Sequence, residues 1–300
     1  MSRKQSVGVV GVGQMGMAVA KRLLERGYAV HTRDIRPEAD TEARGAGATV
    51  CDSPAAVAAA CGVVITLVVN ESQTEEVVFG RRGVVETLSP DAVLMVSSTV
   101  SPTFVESLDS RLATRGLAML DAPVSGGPAR ARAGTISMML AGPDAAFEGA
   151  RDVLETMSNA RFRMSERPGD GARMKLVNNM LAGVNLAGAC EAMALGIRLG
   201  LDARRVFDVV SASSGASWIF SDRMPRVLSG DYGPHAAVTL LTKDVSLALG
   251  AAREAEFPAP VAAAALQVYL ATVALGHGAE DDAALVKFYQ ALTGIALPEG

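Results

Sequence analysis

Hydrophobic positions follow two rhythms along this chain, and the rhythm changes near residue 169. Before it, short apolar runs alternate with amphipathic stretches. Runs at 6–10, 29–33, 48–51, 63–69, 92–96, 117–121 and 136–141 are predicted strands, and 15–26, 36–43, 54–60, 71–79 and 102–115 are predicted helices. Strands this apolar are buried on both faces, and their alternation with helices specifies a parallel sheet covered by helices. After residue 169 the Val and Ile runs stop, and Ala, Leu and Met recur at helical spacing. Residues 171–199 read as one helix of about 45 Å. Further helices are predicted at 203–211, 240–254, 259–275 and 282–292. The expected fold is an α/β domain, 1–168, joined by a long helix to an all-α domain, 169–300.

Composition excludes several classes of function. The 300 residues are 49% hydrophobic and 20% charged, as in a globular chain rather than a disordered one. A net charge of -4 offers neither a basic surface for nucleic acid nor a polybasic arm for a membrane. Aromatic residues, at 4%, are too sparse for base-stacking platforms. Cys51, Cys61 and Cys190 form no C-x-x-C pair and no disulfide framework, so they are expected as small buried residues in a reducing compartment. The first residues run directly into a strand rather than forming a signal peptide, and no unbroken apolar run reaches the length of a membrane span. The expected location is the cytoplasm, with no nucleic-acid or membrane partner.

The first predicted strand ends in Gly11-Val12-Gly13-Gln14-Met15-Gly16, a G-x-G-x-x-G run that opens a helix. Such glycines permit a tight turn and the close approach of a pyrophosphate to a helix N-terminus. Asp34 ends the second predicted strand, where it can accept hydrogen bonds from a ribose diol and repel a 2′-phosphate. A Rossmann-type doubly wound sheet holding NAD is the expectation, with NADP the lesser alternative because Arg33 and Arg36 flank the acid.

The catalytic inventory is short. His31, His235 and His277 have no partners at ligand spacing, so no metal site is expected. The Tyr-x-x-x-Lys pair of short-chain dehydrogenases is absent: Tyr28, Tyr232, Tyr269 and Tyr289 are followed four residues later by Thr32, Ala236, Val273 and Thr293. The chain has 23 arginines but only five lysines, Lys4, Lys21, Lys175, Lys243 and Lys287. Arginine cannot give up a proton at working pH, whereas a partly buried lysine can. Lys175 stands four residues before Asn179 at the start of the long predicted helix, so both share one face. One could pass a proton while the other holds an oxygen. Between this pair and the nucleotide loop lies Asp121-Ala122-Pro123-Val124-Ser125-Gly126-Gly127. Ser125 and the N–H groups of Gly126 and Gly127 could cradle a carboxylate; a plain strand-to-loop turn is the other reading.

GVGQMG, DAPVSGG and GARMKLVNN, in this order, resemble the β-hydroxyacid dehydrogenase family, which includes 3-hydroxyisobutyrate dehydrogenase and tartronate semialdehyde reductase. The resemblance extends to Ser98-Thr99-Val100-Ser101-Pro102, Lys243-Asp244 and Asp281-Asp282. It implies Lys175 as catalytic acid/base, Asn179 as positioner of substrate, and Ser125, Gly126 and Gly127 as holders of the substrate carboxylate. It also implies Thr99 and Lys243 at the nicotinamide half of the cofactor. Where the family often has Leu-Pro after the fourth strand, this chain has Val68-Val69, followed by Gln73. The segments VVNESQTEEVVFG, SGASWIFSDRMPRVLSGDY and GHGAEDDAALVKFY resemble the L-threonate dehydrogenase branch.

The implied function is NAD-dependent oxidation of a small hydroxy or sugar acid such as L-threonate to its keto acid. Alternatives are a 3-hydroxyisobutyrate dehydrogenase, a tartronate or succinic semialdehyde reductase, an imine reductase (which usually lacks the lysine), and an inactive nucleotide-sensing protein. A homodimer or homotetramer is expected, because Gly183, Gly188 and Gly196 on the long helix would permit close helix approach.

Overall fold

The computed structural model describes residues 5–233 and 235–299. They form two compact units, divided between Lys175 and Leu176.

In the first unit, β1 (Val7–Val10) leads into α1 (Gln14–Glu25), β2 (Val30–Arg33) into α2 (Pro37–Gly45), and β3 (Thr49–Val50) into α3 (Pro54–Ala60). β4 (Val63–Thr66) leads into α4 (Glu71–Phe79), and β5 (Val93–Val96) into α5 (Pro102–Ala113). Then come β6 (Ala118–Asp121), β7 (Val124–Ser125), α6 (Gly127–Ala133), β8 (Ser137–Ala141), α7 (Asp144–Met157) and β9 (Ala160–Ser165). The sheet order is β3-β2-β1-β4-β5-β6-β8-β7, with β9 on the free side of β8. β1 pairs in parallel with both β2 and β4, Val7 lying opposite Val30 and Val63. The chain therefore winds outward from β1 in one direction, then returns and winds in the other. This is the doubly wound order whose crevice opens beyond the carboxyl ends of the two central strands.

The period-two alternation of strands divides the core into two layers. Val7, Val9, Val63, Ile65 and Met95 pack with Val19 and Leu23 of α1 and with Val153 and Met157 of α7. Val10, Val64, Leu94 and Val96 face the other way, onto Val57 of α3 and onto Leu108 and Leu112 of α5. Emptying one such position, as in Leu94→Ala, costs about 2–5 kcal/mol.

α8 (Asp170–Arg198) begins in the first unit, and from Leu176 onward it belongs to the second. α9 (Ala203–Ser211), α10 (Trp218–Leu228), α11 (Val238–Glu254), α12 (Pro260–Thr272) and α13 (Val286–Thr293) complete the helical unit. Its core gathers Leu186, Cys190 and Met193 of α8 with Phe220 and Met224 of α10 and Tyr269 of α12. Asp281 and Asp282 are buried and paired with Arg226 and Arg223 of α10, so they tie that helix to the turn before α13.

Several elements depart from the sequence reading. α6, α7, α10, β7 and β9 were not expected. α7 is alanine-rich, but Ala146, Ala150, Val153, Leu154 and Met157 form its buried face. β9 is mostly exposed and lacks alternation. The helix expected over 259–275 ends at Thr272, and the wider turn Val273–His277 contains Gly276 at φ 94°, which breaks the regular ladder. The helix expected over 282–292 starts as a tight turn, Asp282–Leu285. Of the three α8 glycines expected to permit close helix approach, two are used inside the unit. A Cβ at Gly183 would lie 2.4 Å from Val245, and one at Gly196 would lie 2.7 Å from Val206; only Gly188 meets open space. Two helical stretches, Asp170–Arg198 and Pro260–His277, are long and apolar enough to cross a membrane. The first carries Lys175, Asn178, Asn179 and Glu191, and its apolar residues supply the core just described.

Candidate active site

The loop after β1 closes tightly. Gly11 has φ 90°, and a Cβ there would sit 2.5 Å from the Leu67 carbonyl oxygen. A Cβ on Gly16 would come within 1.9 Å of the Gly11 carbonyl oxygen, so α1 packs against the loop at glycine distance. Gly13, the N-cap of α1, differs: its nearest neighbour is Arg36 Nη2 at 3.7 Å. It leaves space before a helix end that no side chain caps. These three positions have the shape of a pyrophosphate cradle, where helix N–H groups meet an anion. A cavity of about 460 Å³ opens beside it, bordered by Val12, Gly13, Gln14, Lys21, Arg36 and Arg132.

Asp34, just beyond β2, accepts the Val12 N–H at 2.8 Å and the Arg36 N–H at 3.0 Å. Burial pushes its carboxyl up, but the hydrogen bonds from Arg36 and Val12 and the Arg36 charge outweigh it, leaving Asp34 below the usual range. It is an ionised acceptor beside the cradle, as an adenosine ribose requires.

The loops after β4 and β5 are held by side chains. Ser98 Oγ accepts the Val68 N–H at 3.0 Å, and Gln73 Oε1 accepts the Val69 N–H at 2.9 Å. Asn70 caps α4 through the Gln73 N–H at 2.9 Å, and Ser101 caps α5. Val68, Val69 and Gln73 are thus brought together without a proline, and Thr99 follows Ser98 directly. From sequence, Ser98 was named only as part of the family resemblance, and neither it nor Asn70 was given a role.

Asp121 ends β6 and turns its carboxylate into the start of α8. Oδ2 accepts the Gly169 N–H at 2.8 Å and the Ala172 N–H at 2.9 Å. A Cβ at Gly171 would lie 2.9 Å from that oxygen. Burial raises the Asp121 carboxyl to about 6, against the opposing pull of these N–H donors. The expectation of a single glycine-rich loop over 121–127 is corrected: Ser125 is in β7 opposite Ser137, and Gly127 opens α6. Gly126 and Gly127 have φ of 127° and 75°, a backbone that favours glycine.

Lys175 lies three residues, just under one helical turn, beyond Ala172. Lys175 and Asn179 are one turn apart on α8, and each is only 6% exposed. In the helical unit, Asn179 Nδ2 donates to Asp244 Oδ2 at 2.6 Å, and Lys243 Nζ donates to Asp244 Oδ1 at 2.6 Å. Asn178 Nδ2 donates to Asn179 Oδ1 at 3.0 Å. Asp244 therefore joins two expected site residues, yet from sequence it was named only beside Lys243 in the family resemblance and given no role. Among the described residues no group of His, Cys, Asp and Glu could hold a metal ion.

Comparison with known proteins follows the same division. Residues 6–165 match the model for the NAD binding domain of 6-phosphogluconate dehydrogenase. Residues 169–289 match that for the NAD-binding domain of NADP-dependent 3-hydroxyisobutyrate dehydrogenase. L-threonate dehydrogenase of Cupriavidus necator is 46% identical over 298 residues, covering 99% of each chain. The chain belongs to the 3-hydroxyisobutyrate dehydrogenase-like family of β-hydroxyacid dehydrogenases. Another member of this family, the mitochondrial 3-hydroxyisobutyrate dehydrogenase of Mus musculus, is 32% identical, covering 96% of this chain and 88% of that one. The crystal structure of 3-hydroxyisobutyrate dehydrogenase from Salmonella typhimurium superposes with a TM-score of 0.89 at 37% identity, covering 95% of this chain and 99% of that one. As a member of the family, the protein is an NAD(P)-dependent oxidoreductase acting on the CH–OH group of its donor, with NAD as cofactor. An inactive nucleotide sensor is not favoured.

Proposed function

We propose that this protein oxidises a four-carbon sugar acid such as L-threonate to its keto acid, using NAD in preference to NADP and Lys175 as the acid/base. The observation that carries the reading is the buried Lys175 and Asn179 pair, one turn apart on α8, with Asn179 held by Asp244. The likeness to L-threonate dehydrogenases over the whole chain supports the choice of substrate.

NAD, when bound, supplies the hydride acceptor. Gly11, Val12, Gly13, Gln14, Met15 and Gly16 hold the pyrophosphate, and Asp34 the adenosine ribose. Val68, Val69, Gln73, Thr99 and Lys243 serve the nicotinamide side. Ser125, Gly126 and Gly127 bind the substrate carboxylate. Lys175 enters oxidation as the neutral amine and takes the hydroxyl proton as hydride leaves the same carbon. In reduction the ammonium returns it. Asn179 orients the reacting oxygen, and its amide is kept from turning by Asp244 and Asn178.

Residues 1–168 act in this reading as the NAD-binding domain, and 169–300 as the substrate and oligomerisation domain. The protein works in the cytoplasm as a homodimer or homotetramer. The test of the substrate is a panel at equal concentration with NAD: L-threonate, D-threonate, D-erythronate, glycerate and 3-hydroxyisobutyrate. Preference for L-threonate is expected; clear preference for 3-hydroxyisobutyrate would remove the sugar-acid assignment.

A further inference from the structure

Two arginines flank Asp34, and the fold holds them differently. Arg33 donates to Asp40 Oδ2 at 2.8 Å, and Asp40 Oδ1 accepts the Asp34 N–H at 3.0 Å. Asp40 is buried on α2, so Arg33 is tied to an acid fixed in the framework. Arg36 is half exposed and lies on Asp34 itself. Its Nε donates to Oδ1 at 3.1 Å and its Nη2 to Oδ2 at 3.4 Å. With the N–H groups of Val12 and Arg36, four donors converge on the carboxylate. A carboxylate offers about four lone-pair sites, so these donors fill it.

The two backbone donors cannot leave without reshaping the loop. A ribose diol therefore reaches Asp34 only by displacing the Arg36 guanidinium. That guanidinium borders the open space before Gly13, at 3.7 Å from a Cβ built there, and lines the adjoining cavity. A planar fork of N–H donors at this place suits a phosphate.

We propose that Arg36 is a specificity-determining residue of the cofactor site: it competes with the NAD ribose for Asp34, and it pairs with the 2′-phosphate when NADP is bound. This rests on the NAD site assigned above. The consequence has opposite signs for the two nucleotides. Removing Arg36 frees Asp34 for the NAD diol and takes away the only cation beside Asp34 that is not tied to another acid in the described framework. Arg33, held by Asp40, does neither.

The test is calorimetric titration of the purified full chain with NAD and with NADP, without substrate. Wild type should bind both, NAD more tightly. Arg36→Leu should tighten NAD several-fold and weaken NADP about tenfold, the worth of one charge-assisted pair. Arg36→Lys keeps the charge and should retain NADP binding, which separates loss of the cation from a damaged loop. Arg33→Leu should leave the ratio of the two constants unchanged. Weaker NAD binding by Arg36→Leu, an unmoved ratio, no NADP binding by wild type, or an equal shift from Arg33→Leu would each overturn the proposal. Failure of wild type to bind either nucleotide would instead overturn the cofactor site on which it rests.

Discussion

Replacing Asp121 by Asn isolates the charge at the start of α8. The carboxylate is almost wholly buried, and its pKa stands at about 6 against 3.8 for a free aspartate. At about 1.4 kcal/mol per unit, that difference is worth about 3 kcal/mol. The folded value is the higher one, so the native state binds the proton more tightly than the unfolded chain between the two values. The stabilisation is fully present below the unfolded pKa and is lost as pH rises through the folded one. Asn lacks this titration but still offers Oδ1 to the Gly169 and Ala172 N–H groups, which in the native protein share a single oxygen. Urea denaturation of both proteins across pH reads the difference directly. Between about pH 7.5 and about pH 4, the stability of wild type relative to Asp121→Asn should rise by about 2–3 kcal/mol. Asp121→Ala removes the acceptor and strands two N–H groups, so it should cost about 2–5 kcal/mol at neutral pH. A wild-type-minus-Asn difference that stays flat with pH would refute the reasoning.

Two other outcomes follow from the geometry, and a third from the proposed assembly. Gly13→Ala should cost only about 1 kcal/mol, the loss of a glycine N-cap, because the added Cβ meets only ordinary contact at 3.7 Å, yet NAD binding measured by calorimetry should be sharply weakened; unchanged binding would place the pyrophosphate elsewhere. Gly183→Ala should destabilise the helical unit by about 1–3 kcal/mol in urea, since its Cβ would overlap Val245 at 2.4 Å, and a neutral result would contradict that packing. Light scattering should give a particle larger than the 31.0 kDa chain; a monomer at micromolar concentration would count against the oligomer.

The sequence was most readable where one residue type does one local job. The G-x-G-x-x-G loop at the start of α1, the acid after β2, and the placement of Lys175 and Asn179 one turn apart on a helix depend on spacing along the chain, and those positions are where the spacing put them. Two kinds of element were missed: β9 is mostly exposed and has no alternation to read, whereas α7 is amphipathic, burying Ala146, Ala150, Val153, Leu154 and Met157, and was simply passed over. Partners distant in sequence were missed for a different reason. Asp244 meets Asn179 across 65 positions, and Asp121 meets Ala172 across 51, so neither leaves a local pattern. The α8 glycines show that spacing alone does not name the partner. Small residues at helical spacing permit close approach, but Gly183 and Gly196 spend it on Val245 and Val206 within the same unit.

The most direct measurement is initial-rate formation of reduced nicotinamide from L-threonate and NAD, by wild type and by Lys175→Ala, with NAD affinity measured alongside. Removal of a general acid/base costs about 10²–10⁴-fold, so the variant should lose turnover on that scale and still bind NAD as wild type does. Turnover near the wild-type rate in Lys175→Ala would contradict the assignment of the proton transfer to this lysine.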